Sequence, residues 1–513
     1  MPPANHVHAH VLCGLAANTA LPSELVDRLI EVAAADADFV DDLAGRADLS
    51  RAQTLALFAR VPETGVLLAR EGRLTSADVD PAAEPDAALA LLDEGRGEPE
   101  WARLLAADPW AVRRERLAAC AGLPSDVIET LAADPDLRVV AELALWTTAS
   151  EVAKRLAEHP SAEVRRALAW NEATPPAVLA ALIGGEGLPP ARRCSVCERE
   201  ETPYTHAPDC DRADCDLPPG ASCDGSHEST VHDIQHAALR NPATPTEAVV
   251  AFADHPSTML RRPLAERLDL PPEVSRRLAA DPIPGIRADL AGNPAIDDAL
   301  MRTLADDEDP GVRRHLAHNP YVPLDTLTRL AATTKLGAAL PPRIATASTA
   351  EVAELARSTD STVRMLLAAR RDLPAGIRDA LAADPDAKVL KSIAPHPGLS
   401  EAQLRAMVDR HGVRVLAKVA TNPDASGALL EDLTRHRPPV QKAFREIARH
   451  PRATPQALLA CLADIQARPI AAGHPALPPA AIVELLADEH SEVVEAAARN
   501  PSLPCAVMPE LMP

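Results

Sequence analysis

Chemistry in this chain concentrates between residues 194 and 227. Five of its nine cysteines lie there, in the order Cys194-Ser-Val-Cys197, Cys210, Cys215 and Cys223, with His206 and His227 among and after them. Cys194 and Cys197 form a C-x2-C knuckle, which presents two thiolates to one metal. Cys210 and Cys215 form a second pair. Twelve residues separate the pairs, a spacing that suits tetrahedral zinc. Seven candidate donors exceed the four that one zinc needs, so the ligand set stays open among them. One zinc, two zincs, an iron–sulfur cluster or no metal are all compatible with these residues, and a single zinc is the expectation carried forward. The thiolates suffice to close a shell, so the expected role is structural and not catalytic. The segment is polar and rich in Pro, Gly and Asp, and cannot bury enough apolar surface to order itself. Metal binding would supply that order, because its free energy becomes folding free energy.

Elsewhere the residues offer little chemistry. His6, His8, His10 and Cys13 could chelate, but a terminal His cluster reads as incidental. Cys13, Cys120, Cys461 and Cys505 sit in apolar contexts and are expected as buried small hydrophobes. Trp146 and Trp170 fall near short helices, where exposed aromatics would mark a binding face; Tyr204 lies in the cysteine block. There is no nucleophile elbow, no phosphate-binding glycine loop and no His-Glu-x-x-His. No catalytic activity is expected.

The elements around the block are repeats. Asp281-Pro282 is followed by Ile286-Arg287, Leu290-Ala291 and Asn293-Pro294. Asp309-Pro310 leads to Val312-Arg313, Leu316-Ala317 and Asn319-Pro320, and His159-Pro160 to Val164-Arg165, Leu168-Ala169 and Asn171. The period is about 26 residues, as from Asn293 to Asn319. Asp before Pro is expected to cap a helix start. Pro after Asn must stop that helix after one or two turns. Thr244 and Glu247 have capping-box spacing for a second, longer helix. The Arg of each Val-Arg (Arg165, Arg287, Arg313, Arg364, Arg414) should form a ladder. It would either pair with neighbouring Asp or make a basic strip for an acidic peptide. Neither helix buries its apolar stripe alone, so the units must stack.

This cadence of Asp-Pro, Val-Arg, Leu-Ala and Asn-Pro resembles the leucine-rich repeat variant family, over roughly Trp101 to Gly184 and His232 to Pro504. The resemblance implies an all-α, right-handed superhelical solenoid of paired 3₁₀ and α helices, without a common catalytic activity. One member of that family carries a cysteine-ligated iron–sulfur domain. It is N-terminal and differently spaced, so its ligands are not carried over. HEAT-like solenoids, with longer helices, are the neighbouring possibility.

Boundaries follow from where the cadence weakens: degenerate helical repeats over 1–74, an acidic linker over 75–100 around one short helix, Asp86 to Leu92, repeats over 101–183, the Cys-rich insert over 184–229, and repeats over 230–513. Hydrophobic residues make up 47% and aromatics 2%, which fits thin aliphatic helix–helix layers and not an all-β core. Net charge is −22. Together with the scarcity of stacking aromatics, it argues against nucleic acid and anionic membrane as partners. No basic leader and no run of 18 apolar residues is found, so a cytoplasmic setting is expected, with thiols and not disulfides. The functional expectation is a scaffold for a protein partner, with a redox or sensor protein built on an iron–sulfur cluster as the alternative.

Overall fold

The computed structural model describes residues 4–34, 38–192 and 228–512. Among the described residues there is no β-strand. Short α-helices follow one another in tandem, with occasional 3₁₀ turns. The chain is an all-α solenoid that divides into two compact units: residues 75–336, and residues 1–74 together with 337–513.

One repeat shows how the sequence builds the rest. The helix Pro284–Gly292 starts with Pro in its first turn and buries Ile286, Leu290 and Ala291 completely. Ile286 and Leu290 each contribute about 1.5–3 kcal/mol of transfer free energy. The helix ends at Asn293, whose backbone is extended (φ −70°, ψ 122°) ahead of Pro294. A second helix, Asp298–Leu304, packs back on the pair. First helices stack on first helices: Pro284–Gly292 lies between Thr258–Glu266 and Pro310–Ala317. The first helix is not always the shorter: 284–292 is longer than 298–304, whereas 310–317 is shorter than 324–333. Both are α-helical here. The 3₁₀ turns of the described residues lie at Pro62–Thr64, Ser76–Asp78, Val250–Asp254, Gly412–Arg414 and Met508–Leu511.

Two local expectations need correction. Thr244 and Glu247 form no capping box: Thr244 is buried, its Oγ1 donates to the Ala238 carbonyl, and Pro245 occupies the cap position. Asp309 is a true N-cap, accepting from Gly311 N at 2.6 Å, but it is two residues out of register with Asp281. The equivalent of Asp281 is Asp307, six residues before Arg313 as Asp281 is before Arg287. At this position the carboxylate bonds the amide two residues on and orients the approach to the helix without capping it, as Asp281 does with Ile283 N at 2.9 Å.

The acidic stretch expected as a linker holds the helix Pro85–Asp93, which buries Ala87 through Leu91. Its Asp86 pairs with Arg113 at 3.1 Å and with Arg116. In the other unit, the first helix of the chain, Ala4–Ala16, packs on the last one, Ser491–Arg499. The approach is close enough that a Cβ on Gly14 would sit 2.4 Å from the Glu495 carbonyl oxygen. The opening residues therefore extend the stack of the closing repeats.

Candidate functional site

A helix that stops at Asn-Pro leaves the carbonyls of its last turn without intrahelical partners. The next repeat answers them with a buried side chain. Asn293 Nδ2 donates to the Ala265 and Arg267 carbonyls at 2.8 and 2.7 Å, and Asn319 Nδ2 to those of Ala291 and Asn293 at 3.0 and 2.8 Å. The Oδ1 atoms accept from the amide two residues on, Ala295 N and Tyr321 N. Each Asn is thus a rung joining two repeats. In the unit of residues 1–74 and 337–513 the same position is held by Asn422, His450, His474, Asn500 and then Asn18, which donates to the Ala498 and Asn500 carbonyls at 2.9 Å each. The histidines imitate the amide: Nδ1 of His474 accepts from Ala476 N and Nε2 faces the His450 carbonyl. Arg46, Arg267 and Arg370 fill other rungs.

The rung that matters for the insert is Asn241. Its Nδ2 donates to the carbonyls of Ala169 and Asn171, both at 2.9 Å, across 72 and 70 residues. An ordinary rung spans 28 and 26. The repeats on either side of the 184–229 segment are therefore direct neighbours, and the segment leaves and returns within one step. It departs after the helix Pro176–Gly184, which Gly185 ends in the left-handed region (φ 70°). Arg192 N still donates to the Pro160 carbonyl at 2.9 Å. The chain returns through the helix Glu228–Arg240, whose Gln235 donates to the Ile183 carbonyl.

The predicted ligands Cys194, Cys197, His206, Cys210, Cys215, Cys223 and His227 lie outside the described residues, as does Tyr204. Among the described residues no group of three or more His, Cys, Asp or Glu side chains is placed to hold a metal. The side chains of His6 and His8 are likewise outside the described set; His10 lies 3.5 Å from Glu495. Cys13, Cys120 and Cys461 are buried as expected, and burial pushes their thiols up to about 11, 12 and 12. Thiols so held are poor nucleophiles. Cys505, expected inside, is exposed.

The recurring arginines form a second ladder. Arg287 clasps both oxygens of Asp307, in the next repeat, at 2.7 and 2.9 Å; Arg364 does the same with Asp384, and Arg114 with Asp134. A hydrogen bond from Arg287 holds the Asp307 carboxyl below the ordinary carboxylate range. These arginines are inter-repeat clamps and leave no free basic strip. Arg313 meets Thr334 instead of an acid, and Arg414 is exposed on a 3₁₀ turn.

Next to the insert, Trp146 and Trp170 end successive first helices and are 55% and 42% exposed. Trp170 meets His236 edge-on at 6.0 Å, and the row continues with the Arg240–Glu266 pair at 3.1 Å. Burial raises the Asp233 carboxyl and depresses His236 in the same helix. The Asn171 rung to the Ala144 and Thr147 carbonyls sets these two exposed tryptophans in register.

No family model matches the chain, and no curated protein does. Among solved structures, an engineered protein aligns at 17% identity over 96% of this chain and 94% of its own, with a TM-score of 0.15. SYS-1 aligns at 10% identity over 94% and 93%, also with a TM-score of 0.15. At those scores neither bears on the site, and the helical architecture rests on the elements described above.

Proposed function

We propose that this chain is a non-enzymatic, cytoplasmic repeat scaffold of the leucine-rich repeat variant kind, which binds a protein partner and carries a structural zinc in its 184–229 insert. The observation that carries the reading is the Asn241–Asn171 rung. It joins the repeats on either side of the insert directly, so the stack does not depend on the insert as a link. Seven thiol and imidazole donors in a segment without an apolar core of its own call for a metal. The exposed Trp146 and Trp170 beside its root are the residue type that anchors protein interfaces. The charge of −22 opposes nucleic acid. No described helix is long and apolar enough to cross a membrane.

The test is affinity capture from the source cells with quantitative comparison of baits: the native chain, Trp146→Ala/Trp170→Ala, and a chain with residues 193–227 replaced by a short Gly-Ser linker. The proposal expects a captured protein whose recovery falls about tenfold or more in at least one variant, the cost of losing a hot-spot anchor. Identical capture by all three baits would overturn it. Visible absorbance that bleaches on reduction would replace zinc by an iron–sulfur cluster.

A further inference from the structure

The arginine clamp recurs in four repeats; Arg313 and Arg414 depart from it, and so does Arg165, at the root of the insert. In Arg114, Arg261, Arg287 and Arg364, Nε and Nη2 hold the two oxygens of the aspartate 20 residues later, and Nη1 donates to the carbonyl six residues back. Arg165 holds the same position, but the residue 20 further on is Gly185, where the chain turns out toward the insert. Its guanidinium is turned accordingly. Nε donates to the His159 carbonyl at 2.7 Å and Nη1 to that of Pro189 at 2.8 Å. Nη2 has no hydrogen-bond partner, and neither has the Oγ of Ser161, one helical turn earlier. Both residues are buried, Arg165 at 6% exposure and Ser161 at 1%.

A buried guanidinium edge and a buried hydroxyl left unanswered are costly, and two of them on one helical turn call for a partner. The electrostatics agree with the geometry. The Asp partners of Arg114, Arg287 and Arg364 raise those guanidinium groups, through the hydrogen bond first. Arg165 is lowered by burial, with only the charge of Glu158 opposing.

We infer that Ser161 and Arg165 form a carboxylate-binding site at the root of the insert. The rung that lacks its own aspartate takes a carboxylate from elsewhere, Nη2 and the Ser161 hydroxyl both donating to it. A charge-assisted pair of this kind is what every intact clamp uses. Two sources carry that chemistry. One is the chain itself, since residues 193–227 include Glu198, Glu200, Glu201, Asp209, Asp211, Asp214, Asp216 and Asp224. The other is an external carboxylate.

The experiment measures amide hydrogen exchange in the helix Ala162–Trp170 of the full chain, in native protein, Arg165→Gln and the milder Ser161→Ala. Arg165→Gln keeps a donor and removes the charge. Exchange about tenfold faster in Arg165→Gln, with a smaller rise in Ser161→Ala, is expected from losing a buried charge-assisted contact. Each acidic residue of 193–227 is then changed to its amide, in native and Arg165→Gln backgrounds. One whose effect vanishes in the second background identifies the internal source. Acetate, titrated at constant ionic strength, slowing exchange in the native chain but not in Arg165→Gln identifies the external one. No coupled acid and no acetate response overturns the assignment whatever the exchange rate of Arg165→Gln, since that variant also loses the bonds to the His159 and Pro189 carbonyls.

Discussion

Asn319→Ala tests whether the buried amides hold the repeats together. Asn319 is fully buried; it donates to two carbonyls of the preceding repeat and accepts from Tyr321 N. Truncation leaves three backbone groups without partners, in a place where water has little access. At about 1 kcal/mol for each orphaned group after relaxation, the loss should be about 3 kcal/mol. All four tryptophans, 101, 110, 146 and 170, belong to the 75–336 unit that contains Asn319. Tryptophan fluorescence during urea unfolding therefore reports on that unit, and the expected change is a lower midpoint. Arg302→Ala, which removes an exposed pair with Asp325, is the control and should leave the midpoint essentially unmoved. Asn319→Asp should be worse than Ala, because it sets a carboxylate against two carbonyl oxygens. A midpoint for Asn319→Ala no lower than the control's would refute the reasoning, and the apolar stripes alone would then account for stacking.

Removing one side of a clamp should be similarly severe. Asp307→Ala strands the buried Arg287 and should cost about 3 kcal/mol in the same unfolding assay. Acid should loosen the two units through different groups. Burial holds His474 below its ordinary 6.5, so its unfolded form binds the proton first and stability falls as pH drops below 6.5; His474→Asn should remove that loss in a thermal-melt pH series. In the 75–336 unit, Asp307 is depressed below 3.8. Its contribution is complete above 3.8 and disappears as pH falls further, an effect absent from Asp307→Asn. Among the four cysteines outside the insert, only Cys505 should alkylate in folded protein at neutral pH, with Cys13, Cys120 and Cys461 reacting after denaturation; peptide mapping decides. Replacing 193–227 by a Gly-Ser linker should leave far-ultraviolet ellipticity per helical residue unchanged, and a global loss of helix would contradict the direct neighbourhood of Asn171 and Asn241.

The repeat, its period and the place of the insert were legible because helical apolar spacing and Pro punctuation are local signals. The second role of Asn in Asn-Pro was not read. Pro alone explains why the helix stops, and only the stacked geometry shows why Asn, or His450 and His474, must precede the stop. A signal was present: amide and imidazole share a donor and an acceptor side by side, and they alternate at this one position. For Asp309 the Asp-Pro pair is a weaker signal than the fixed distance to the following arginine, which puts Asp307 in register. The packing of the first helix on the last repeat joins residues 480 apart, and no local pattern carries that. Gly14 hints at it only once a neighbour is known. Thr244 shows the limit of spacing as evidence: its buried hydroxyl bonds the Ala238 carbonyl, six residues back, and not the glutamate three residues on.

Metal analysis of the purified full chain, beside the Cys194→Ser/Cys197→Ser variant, bears most directly on the scaffold with an ion-pinned excursion. One zinc per native chain, absent from the variant, with the helical signal intact in both, is the predicted result. Native chain that carries no bound metal, or a variant that keeps its full complement, would contradict it.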